Sequence, residues 1–397
     1  MRVLHVLHTS LPHIAGYTIR SNYIIRFQKD HDLEPVVVTS AQDPSPGDRE
    51  VIDGTTYIRT PSIPERLPPG MREGMLMQRL FRSVDAAIRE FQPELVHAHS
   101  PMLVGLPALA AARWHRLPFV YEVRDLWENA SVDRGKFKED GLMYKGARGA
   151  ESIIYRTADA VVAICEKLRE VIAPRVGLHT ALHVVGNGVE VEAFTPADAD
   201  EELKATWGLA GKRCIGYIGT FQPYEGLSTL VAAMPAIKAA IPEAHLMITG
   251  AGGVEDELKA QVARDNLGEL VTFTGRVPHT EVKSLYAIPE LFVYPRILTR
   301  TTAITTPLKP LEAMATGKPV LVSDVGAMLE LVKPGETGNV FEAGSARDLA
   351  EKAIDVLHDP ERQQAMGKAA RAFVEAERQW PHLVASYRAI YDAIPPR

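Results

Sequence analysis

Short runs of β-branched and other apolar residues alternate with longer segments of helical periodicity along almost the whole chain. This alternation is typical of parallel sheets built from strand–helix–strand units. A first series of predicted strands covers residues 3–7, 35–39, 56–59, 94–97, 119–123, 160–164 and 182–185. A second series covers residues 214–218, 244–249, 270–273, 291–294 and 319–322. The pattern therefore predicts an α/β fold with two doubly wound domains.

The boundary between the two series lies in a stretch after Asn187 and Gly188, where Pro, Ala and acidic residues mix as they do in linkers. We therefore place an N-terminal domain at residues 1–190 and a second domain at residues 191–375. In open α/β sheets a ligand binds beyond the carboxyl ends of the strands. Two such domains facing each other are expected to form a cleft, and that cleft is where we look for chemistry.

The pattern from residue 346 onward is helical. Pro360 and Pro381 interrupt it, because proline lacks the N–H group that a helix interior requires. We predict successive helices in this region, and we expect the last of them, within residues 376–397, to return to the N-terminal domain.

Composition and charge narrow the possible functions. The 397 residues include 44 Lys and Arg against 50 Asp and Glu, a formal charge of −6, so we expect no nucleic-acid partner. The two cysteines, Cys165 and Cys214, lie far apart in apolar runs and indicate neither a disulfide framework nor a thiolate metal site. No apolar run reaches the roughly eighteen residues of a membrane-spanning helix. These features together predict a cytoplasmic protein.

Residues 306–326, TPLKPLEAMATGKPVLVSDVG, form the most specific stretch of the chain. Pro307 and Pro310 open a predicted helix that carries Lys309 and Glu312 in its first turn. A carboxylate there can accept hydrogen bonds from both hydroxyls of a ribose, while a lysine and a helix N-terminus can hold a diphosphate. The alternative is an ordinary acidic residue favoured by the helix dipole.

The Glu-Ala-Met-Ala-x-Gly-x-Pro-Val part of this stretch resembles the retaining GT-B glycosyltransferases of family 4. Further similarity lies in GNGV at 186–189, GTF at 219–221 and TGAG at 249–252. The resemblance extends over nearly the whole chain and implies a GT-B fold of two Rossmann-like domains. Within the family, GTFQPYEGL and TPLKPLEAMA resemble a bacterial branch associated with exosortase and exopolysaccharide loci.

The resemblance implies a nucleotide diphosphate sugar as the donor. The candidate donor-binding residues are Gly16, Tyr17, Gly219, Thr220, Gly250, Gly252, Lys309, Pro310, Leu311 and Glu312. Two positions depart from the family pattern: Ile304 replaces an acid eight residues before Glu312, and Thr220 and Glu225 replace basic residues of a Gly-Arg-Leu-x-x-x-Lys-Gly loop. We therefore expect the cations that compensate the donor's charge to come from other positions.

Arg296, just after the strand that ends at Tyr294, is a candidate for this task together with Lys309. Both are expected to stabilise the negative charge that develops on the departing diphosphate. Arg300 is a third candidate, with a solvated loop residue as the alternative. Because positive side chains and helix ends can supply this charge, we expect neither a catalytic metal nor a cofactor.

In the first domain, Gly16 lies between the first strand and a helix, where a glycine lets the backbone approach a ligand closely, and Tyr17 follows it. A glycine with no role beyond this turn is the alternative. His97 and His99 lie on the same side of a strand end. The resemblance places His99 near a sugar substrate, with a hydrogen-bonded strand-end histidine as the alternative. No third metal ligand is expected near the pair, so no metal site is predicted.

The segment YEVRDLWE at 121–128 offers Glu122, Arg124 and Asp125 at the end of the next strand. Related enzymes have a catalytic-site histidine followed by an aspartate there, and Arg124 stands in the place of that histidine. We expect Arg124 and Asp125 in the catalytic site, with Asp125 orienting Arg124 or an acceptor hydroxyl. A structural ion pair or a helix N-cap is the alternative.

Residues 66–82 intersperse arginines with Met, Leu and Phe after a Pro-Pro-Gly break. Such a segment is suited to an anionic membrane surface, here the inner face of the cytoplasmic membrane, where it would suit a polyprenyl-linked acceptor. An amphipathic helix packed on the sheet is the alternative.

These observations predict a hexosyltransferase that moves a sugar, with retention, from a nucleotide diphosphate sugar to a glycan or lipid-linked acceptor. The resemblance suggests exopolysaccharide or cell-surface glycan biosynthesis. Two alternatives stay open: a nucleotide-sugar epimerase on the same fold, and a non-catalytic nucleotide-sugar or glycan-binding subunit, which Ile304 and Glu225 motivate.

Overall fold

A computed structural model of the protein describes residues 1–43, 47–64, 66–68, 70–395 and 397. The chain divides into two compact units, the first formed by Met1–Asn187 with Trp380–Arg397 and the second by Gly188–Gln379. The boundaries placed from the sequence, after residues 190 and 375, lie a few residues away from these limits.

Strands and helices alternate over most of the described chain. The strands are β1 (Arg2–Leu7), β2 (Glu34–Thr39), β3 (Arg49–Ile52), β4 (Thr55–Arg59), β5 (Leu95–His99), β6 (Phe119–Val123), β7 (Ala160–Ala163), β8 (Ala181–Val184), β9 (Arg213–Ile218), β10 (Ala244–Thr249), β11 (Val271–Gly275), β12 (Leu291–Tyr294), β13 (Val320–Ser323) and β14 (Gly338–Phe341). The helices are α1 (Gly16–Gln28), α2 (Met71–Phe91), α3 (Met102–Trp114), α4 (Trp127–Asp133), α5 (Leu142–Thr157), α6 (Glu166–Ile172), α7 (Glu201–Thr206), α8 (Leu227–Ala240), α9 (Glu255–Arg264), α10 (His279–Leu285), α11 (Lys309–Ala315), α12 (Ala346–Leu357), α13 (Pro360–Glu377) and α14 (Trp380–Asp392).

The first unit is built on an eight-stranded sheet in the order β3-β4-β2-β1-β5-β6-β7-β8. The pairs are parallel except for β3 with β4. Strand β1 pairs with β2 on one side and with β5 on the other, so the direction of winding reverses between β1 and β5. Such a reversal is the place where open α/β sheets bind ligands.

The second unit contains a six-stranded parallel sheet in the order β11-β10-β9-β12-β13-β14. Its direction of winding reverses between β9 and β12. The strands are almost wholly buried apolar runs, as expected for parallel strands covered on both faces by helices. The predicted donor residues follow β9, β10 and β12, at the carboxyl ends of these strands.

Helix α14, the last helix of the chain, is part of the first unit and packs against α1. Trp380 begins it and is fully buried, with its ring stacked on that of Tyr23 at 5.3 Å between centroids. Tyr387 and Tyr391, one turn apart, are also buried and reach the polar centre of the unit.

Two strands of the structure were not predicted. Strand β3 pairs antiparallel with β4 through a tight turn at Asp53 and Gly54, both of which have positive φ. Asp-Gly is a strong hairpin signal, but β3 lies half-exposed and lacks an apolar run. Strand β14 begins with Gly and Asn, which are depleted in strands, and its pairing with β13 is what defines it.

Helix α2 contains most of the segment 66–82, in which Pro69 lies outside the described residues. Its apolar stripe, including Leu76 and Leu80, is buried within the unit, while Met71 at its start is 59% exposed. Because residues packed in the protein cannot also enter a lipid surface, the structure favours the packed amphipathic helix over the expected membrane contact. No helix in the described part of the chain has the length and apolar character needed to cross a membrane.

Candidate functional site

The neighbouring carboxyl ends of β9 and β12 carry the predicted donor residues of the second unit. Gly219 and Thr220 directly follow β9, and Arg296 follows β12 by two residues. Helix α11 begins with Lys309 and contacts β12 and β13. The two predicted cations and the predicted glycine turn therefore meet where the winding of the sheet reverses.

Glu225 joins the two cations into one group, which we call the Glu225 cluster: Glu225, Arg296 and Lys309. Its Oε1 lies 2.8 Å from Lys309 Nζ and 3.1 Å from Arg296 Nη2. Lys309 Nζ also donates a hydrogen bond to Tyr217 Oη at 2.8 Å, and Arg296 Nη1 donates to Thr305 O at 3.3 Å. In the sequence, Glu225 was noted only because it replaces a basic residue of the family pattern. In the structure, its carboxylate forms ion pairs with both cations.

The side chains of the Glu225 cluster differ in exposure. The exposed fraction is 3% for Glu225, 9% for Arg296 and 20% for Lys309. Burial acts to raise the pKa of Glu225, but Arg296 and Lys309 outweigh it and hold that pKa at about 2. Burial lowers the pKa of Lys309, and Glu225 acts against that change. With all three groups ionised, the cluster carries a net charge of +1.

Glu312 lies in the same helix as Lys309 and is held by Tyr286. The Tyr286 hydroxyl donates to Glu312 Oε2 at 2.6 Å, while Oε1 makes no hydrogen bond to the described residues. Burial raises the pKa of Glu312, against the influence of Tyr286 and Lys309. Tyr294 Oη donates to the backbone oxygen of Lys309 at 2.9 Å, so two buried tyrosines fix the first turn of α11.

Two of the predicted glycines, Gly250 and Gly252, are required by close packing of the loops after β9 and β10. A Cβ atom on Gly250 would overlap the backbone oxygen of Gly219, and one on Gly252 would overlap the backbone of Phe221. A Cβ on Gly219 would lie 2.5 Å from Lys309 Cε, so this glycine makes room for the lysine side chain.

The remaining donor candidates of the second unit fall into buried and exposed groups. Pro310 and Leu311 are buried, and Leu311 belongs to the hydrophobic core, so they position helix α11. Thr220 is exposed, and its backbone oxygen accepts a hydrogen bond from Tyr217 Oη. Ile304 is buried in a 3₁₀ turn, Thr302–Ile304, so this turn places an apolar side chain where the family pattern has an acid.

The first unit contains a buried group of three histidines, His5, His97 and His99, which we call the histidine network. The expectation that no third ligand lies near His97 and His99 is wrong, because His5 faces His97 in the parallel register of β1 and β5. One ring nitrogen from each of the three histidines lies within 4.8 Å of the other two. His5 Nδ1 is 3.0 Å from His99 Nε2, and the network extends to Gln28 and Tyr391 through hydrogen bonds of 2.8 and 2.7 Å.

Glu122 is the anion beside the histidine network and is fully buried. Its Oε1 accepts hydrogen bonds from Arg20 Nε and Arg124 Nε, each at 3.0 Å, and Tyr387 of helix α14 donates to Oε2. Burial acts to raise the pKa of Glu122, but Arg20 and Arg124 hold it well below its usual range. This carboxylate thus ties α1 and α14 to the centre of the sheet.

Arg124 is buried and fully engaged by its neighbours. Nη2 lies 2.7 Å from His99 Nδ1, and Nη1 donates to Tyr17 O at 2.6 Å and to Ser21 Oγ at 2.7 Å. The guanidinium lies 4.2 Å over the Tyr17 ring. The structure therefore brings three predicted residues, His99, Arg124 and Tyr17, into direct contact.

Asp125 does not orient Arg124, because Glu122 and helix α1 occupy the guanidinium. The Asp125 residue is only partly exposed to solvent, and the loss of solvent around its carboxyl group raises its pKa. It is not a helix N-cap either, since α4 starts after Leu126. Gly16 is the exposed first residue of α1, and a Cβ there would meet no atom within 4 Å. The catalytic roles assigned to His99, Arg124 and Asp125 stay predictions.

Two family models match the chain, each over nearly half of its length. Residues 15–193 match the model described as "Glycosyltransferase Family 4", and residues 199–373 match the model described as "Glycosyl transferases group 1".

Characterised relatives and solved structures are similar over nearly the whole chain. A GDP-mannose-dependent alpha-mannosyltransferase of Mycolicibacterium smegmatis is 28% identical over 99% of this chain and 98% of its own length. The sulfoquinovosyl transferase SQD2 of Arabidopsis thaliana is 26% identical over 94% and 69%. Sucrose-phosphate synthase of Thermosynechococcus elongatus has a similar fold, with a TM-score of 0.81 at 21% identity over 99% and 98%. Anabaena HepE, solved in complex with UDP-glucose, has a TM-score of 0.76 at 18% identity over 99% and 100%.

The two sheets, the second parallel and the first parallel except for the pairing of β3 with β4, and the two family matches indicate the class of the protein. It has the GT-B fold, two Rossmann-like α/β domains, as the sequence predicts. The two family matches, over residues 15–193 and 199–373, together with the similar relatives support a GT-B glycosyltransferase of the group 1/family 4 type. It is accordingly a nucleotide-sugar-dependent hexosyltransferase.

Proposed function

We propose that the second unit binds a nucleotide diphosphate sugar at the carboxyl ends of β9 and β12 and that the enzyme transfers the sugar, with retention, to a glycan or lipid-linked acceptor. The observation that carries the proposal is the meeting of Lys309, Arg296 and Glu312 where the winding of the sheet reverses. This is the position at which open α/β sheets bind their ligands.

The geometry suggests a division of tasks among these side chains. Lys309 is the most exposed cation of the Glu225 cluster and is the group that would contact the diphosphate. Arg296 lies deeper and adds to the positive potential. Glu312 keeps Oε1 for hydrogen bonds from ribose hydroxyls, while Tyr286 holds Oε2. Fixed charges of this kind stabilise the leaving diphosphate most when the glycosidic bond breaks.

Retention results in a single step when the acceptor hydroxyl attacks on the face from which the diphosphate leaves, and this is the route that we propose. The bond between the anomeric carbon and the phosphate oxygen breaks, the new bond to the acceptor oxygen forms, and the acceptor proton passes to the departing diphosphate. This route needs no protein nucleophile. Because Lys309 and Arg296 provide positive charge, we propose that it also proceeds without a metal. The anomeric configuration of the product, followed by NMR from a donor of known configuration, tests retention, and activity in EDTA tests metal independence.

We also propose a class of donor sugar and a type of glycan product. Named relatives use GDP-mannose or transfer sulfoquinovose, and one similar structure holds UDP-glucose, which supports a hexose-type donor. The stretches GTFQPYEGL and TPLKPLEAMA support assembly of an exopolysaccharide or another cell-surface glycan as the setting.

Calorimetric titration of UDP, GDP and ADP, alone and as their sugar conjugates, tests the donor site. We expect one nucleotide diphosphate to bind, and Lys309→Ala and Glu312→Ala each to weaken it roughly 10-fold or more through loss of charge-assisted hydrogen bonds.

Matched controls come from the opposite ends of the same two strands. Arg213 begins β9, Glu290 precedes β12, and their side chains form an ion pair of 2.7 Å. Arg213→Ala and Glu290→Ala should leave nucleotide affinity within about twofold of the native value, since the pair lies at the amino ends of the strands. Equal losses in site and control variants would contradict the proposed site.

A further inference from the structure

Glu225 has the same sign of charge as the phosphates that the proposed site would bind. It lies within 3.1 Å of both cations, so any diphosphate that contacts Lys309 is also close to this carboxylate. Removing it would change the charge of the Glu225 cluster from +1 to +2. A binding site for an anion that contains a buried anion calls for a physical explanation.

The backbone around Glu225 shows that the carboxylate is fixed in place. Glu225 ends a 3₁₀ turn, Pro223–Glu225, and Gly226 follows it with φ of 69°. A Cβ on Gly226 would overlap the backbone oxygen of Pro295. Ile297 N donates to Tyr224 O at 3.0 Å. The turn therefore packs directly on the segment that carries Arg296, and its carboxylate stays beside the cations.

A fixed anion acts differently on ligands of different charge. The diphosphate of a nucleotide sugar has two negative charges, whereas a free nucleoside diphosphate gains close to one more near neutral pH. Coulomb repulsion grows with the charge of the ligand. A carboxylate at this place weakens the binding of the free diphosphate more than that of the sugar conjugate.

We propose that Glu225 is a positioning residue that tunes the charge of the donor site, so that the spent nucleoside diphosphate is released in preference to the intact donor. This inference rests on the proposed function. Arg296 and Lys309 attract either ligand, and Glu225 limits that attraction to what the donor requires. A carboxylate whose charge did not reach the bound ligand would influence both ligands equally.

The test compares two dissociation constants in one variant. Calorimetry with UDP and UDP-glucose, and with GDP and GDP-mannose, gives the ratio of the Kd of the sugar conjugate to the Kd of the free diphosphate. Glu225→Gln removes the charge with little change of shape. We expect both ligands to bind more tightly and the ratio to rise about fivefold or more, because the extra phosphate charge loses its repulsion.

Three further variants complete the experiment. Glu225→Asp keeps the charge and should keep the native ratio. Glu290→Gln removes one partner of the Arg213 ion pair at the other end of the strands, and should also keep it. Glu225→Ala provides a second neutral side chain if Glu225→Gln melts below the assay temperature. Thermal unfolding of each variant accompanies the titrations.

The possible results distinguish a failure of the role given to Glu225 from a failure of the proposed donor site. A ratio that stays at the native value in both neutral variants, or that falls, overturns the role given to Glu225 while the donor site stands. If the native protein binds none of the four ligands, the proposed function fails first. A rise of the ratio confined to the neutral variants supports the proposal.

Discussion

Each unit of the protein contains one buried glutamate that binds two cations. Glu122 binds Arg20 and Arg124, and Glu225 binds Arg296 and Lys309. Removing one partner of a buried ion pair costs about 3–5 kcal/mol, because the other charge then lacks compensation. A charge-neutral isostere removes the same charge but fills the same space and keeps a hydrogen-bonding group beside the cations, so it probes the charge more cleanly than alanine does.

Tyr286 is the residue that most directly controls Glu312. Replacement by phenylalanine keeps the buried ring and removes the 2.6 Å hydrogen bond to Oε2. We expect Tyr286→Phe to weaken binding of the nucleotide diphosphate about 3–10-fold, because Glu312 then loses its fixed orientation, a change worth about 1 kcal/mol. Calorimetry measures this effect. Tyr391→Phe, which removes a buried hydroxyl of the first unit, is the control and should leave nucleotide affinity unchanged.

At the scale of single elements, helix α14 contributes a large share of the packing of the first unit. Trp380 is fully buried, stacks on Tyr23 and lies under the guanidinium of Arg20 at 5.6 Å. We expect Trp380→Ala to lower the free energy of unfolding by about 3–5 kcal/mol through the cavity that it leaves. Urea unfolding followed by circular dichroism checks this value.

The opposite end of the same segment provides the comparison. Arg397 forms an exposed ion pair with Asp159 at 2.6 Å. Arg397→Ala should cost less than about 1 kcal/mol, since exposed ion pairs contribute little. Equal midpoints for the two variants would show that α14 is not held by its tryptophan.

The elements were largely predictable because strands in parallel sheets are continuous apolar runs separated by helices. Strands β3 and β14 were missed because their short segments depend on pairing with a neighbour rather than on a hydrophobic run of their own. The same distinction applies to the site. Lys309 and Glu312 were predicted because both lie in one local motif.

Long-range partners carried no comparable signal in the sequence. Glu225 and Arg296 are 71 positions apart, and Arg20 and Glu122 are 102 apart. Such pairs depend on which strands become neighbours, and a single sequence does not reveal that order. His5 is the exception, since a histidine on β1 and two on β5 would be expected to meet once those strands are known to pair.

At the scale of the whole molecule, the histidine network links stability to pH. Burial lowers the pKa of His5 to about 4 and that of His99 to about 3, and it lowers the pKa of His97 well below its usual range. In the unfolded chain these rings take up protons near pH 6.5. Between pH 6.5 and about 4.5 the unfolded state therefore binds more protons, and stability falls as the pH falls.

The size of this effect is large enough to measure. Three histidines contribute at most about 4 kcal/mol per pH unit within that window. Burial raises the pKa of Glu151 to about 8, so in this window the folded chain binds about one proton at Glu151 that the unfolded chain has released. This proton partly offsets the loss of stability that the histidines cause as the pH falls. Glu122, whose pKa is lowered, adds a loss only below about pH 4.5. Burial also lowers the pKa of His245 to about 4 and lowers the pKa values of His8 and His183, so the window above that pH reports on these three rings as well as on the histidine network.

We expect His97→Gln to make the dependence of the unfolding free energy on pH less steep by about one proton, because one ring that excludes protons in the folded state is absent. Urea unfolding at pH 7.0, 6.0 and 5.0 gives the slope. His13→Gln, at an exposed position, is the control and should retain the native slope. A slope unchanged by His97→Gln would mean that the buried ring takes up its proton as readily in the folded chain as in the unfolded one, and the network would then not be the acid-sensitive part of the fold.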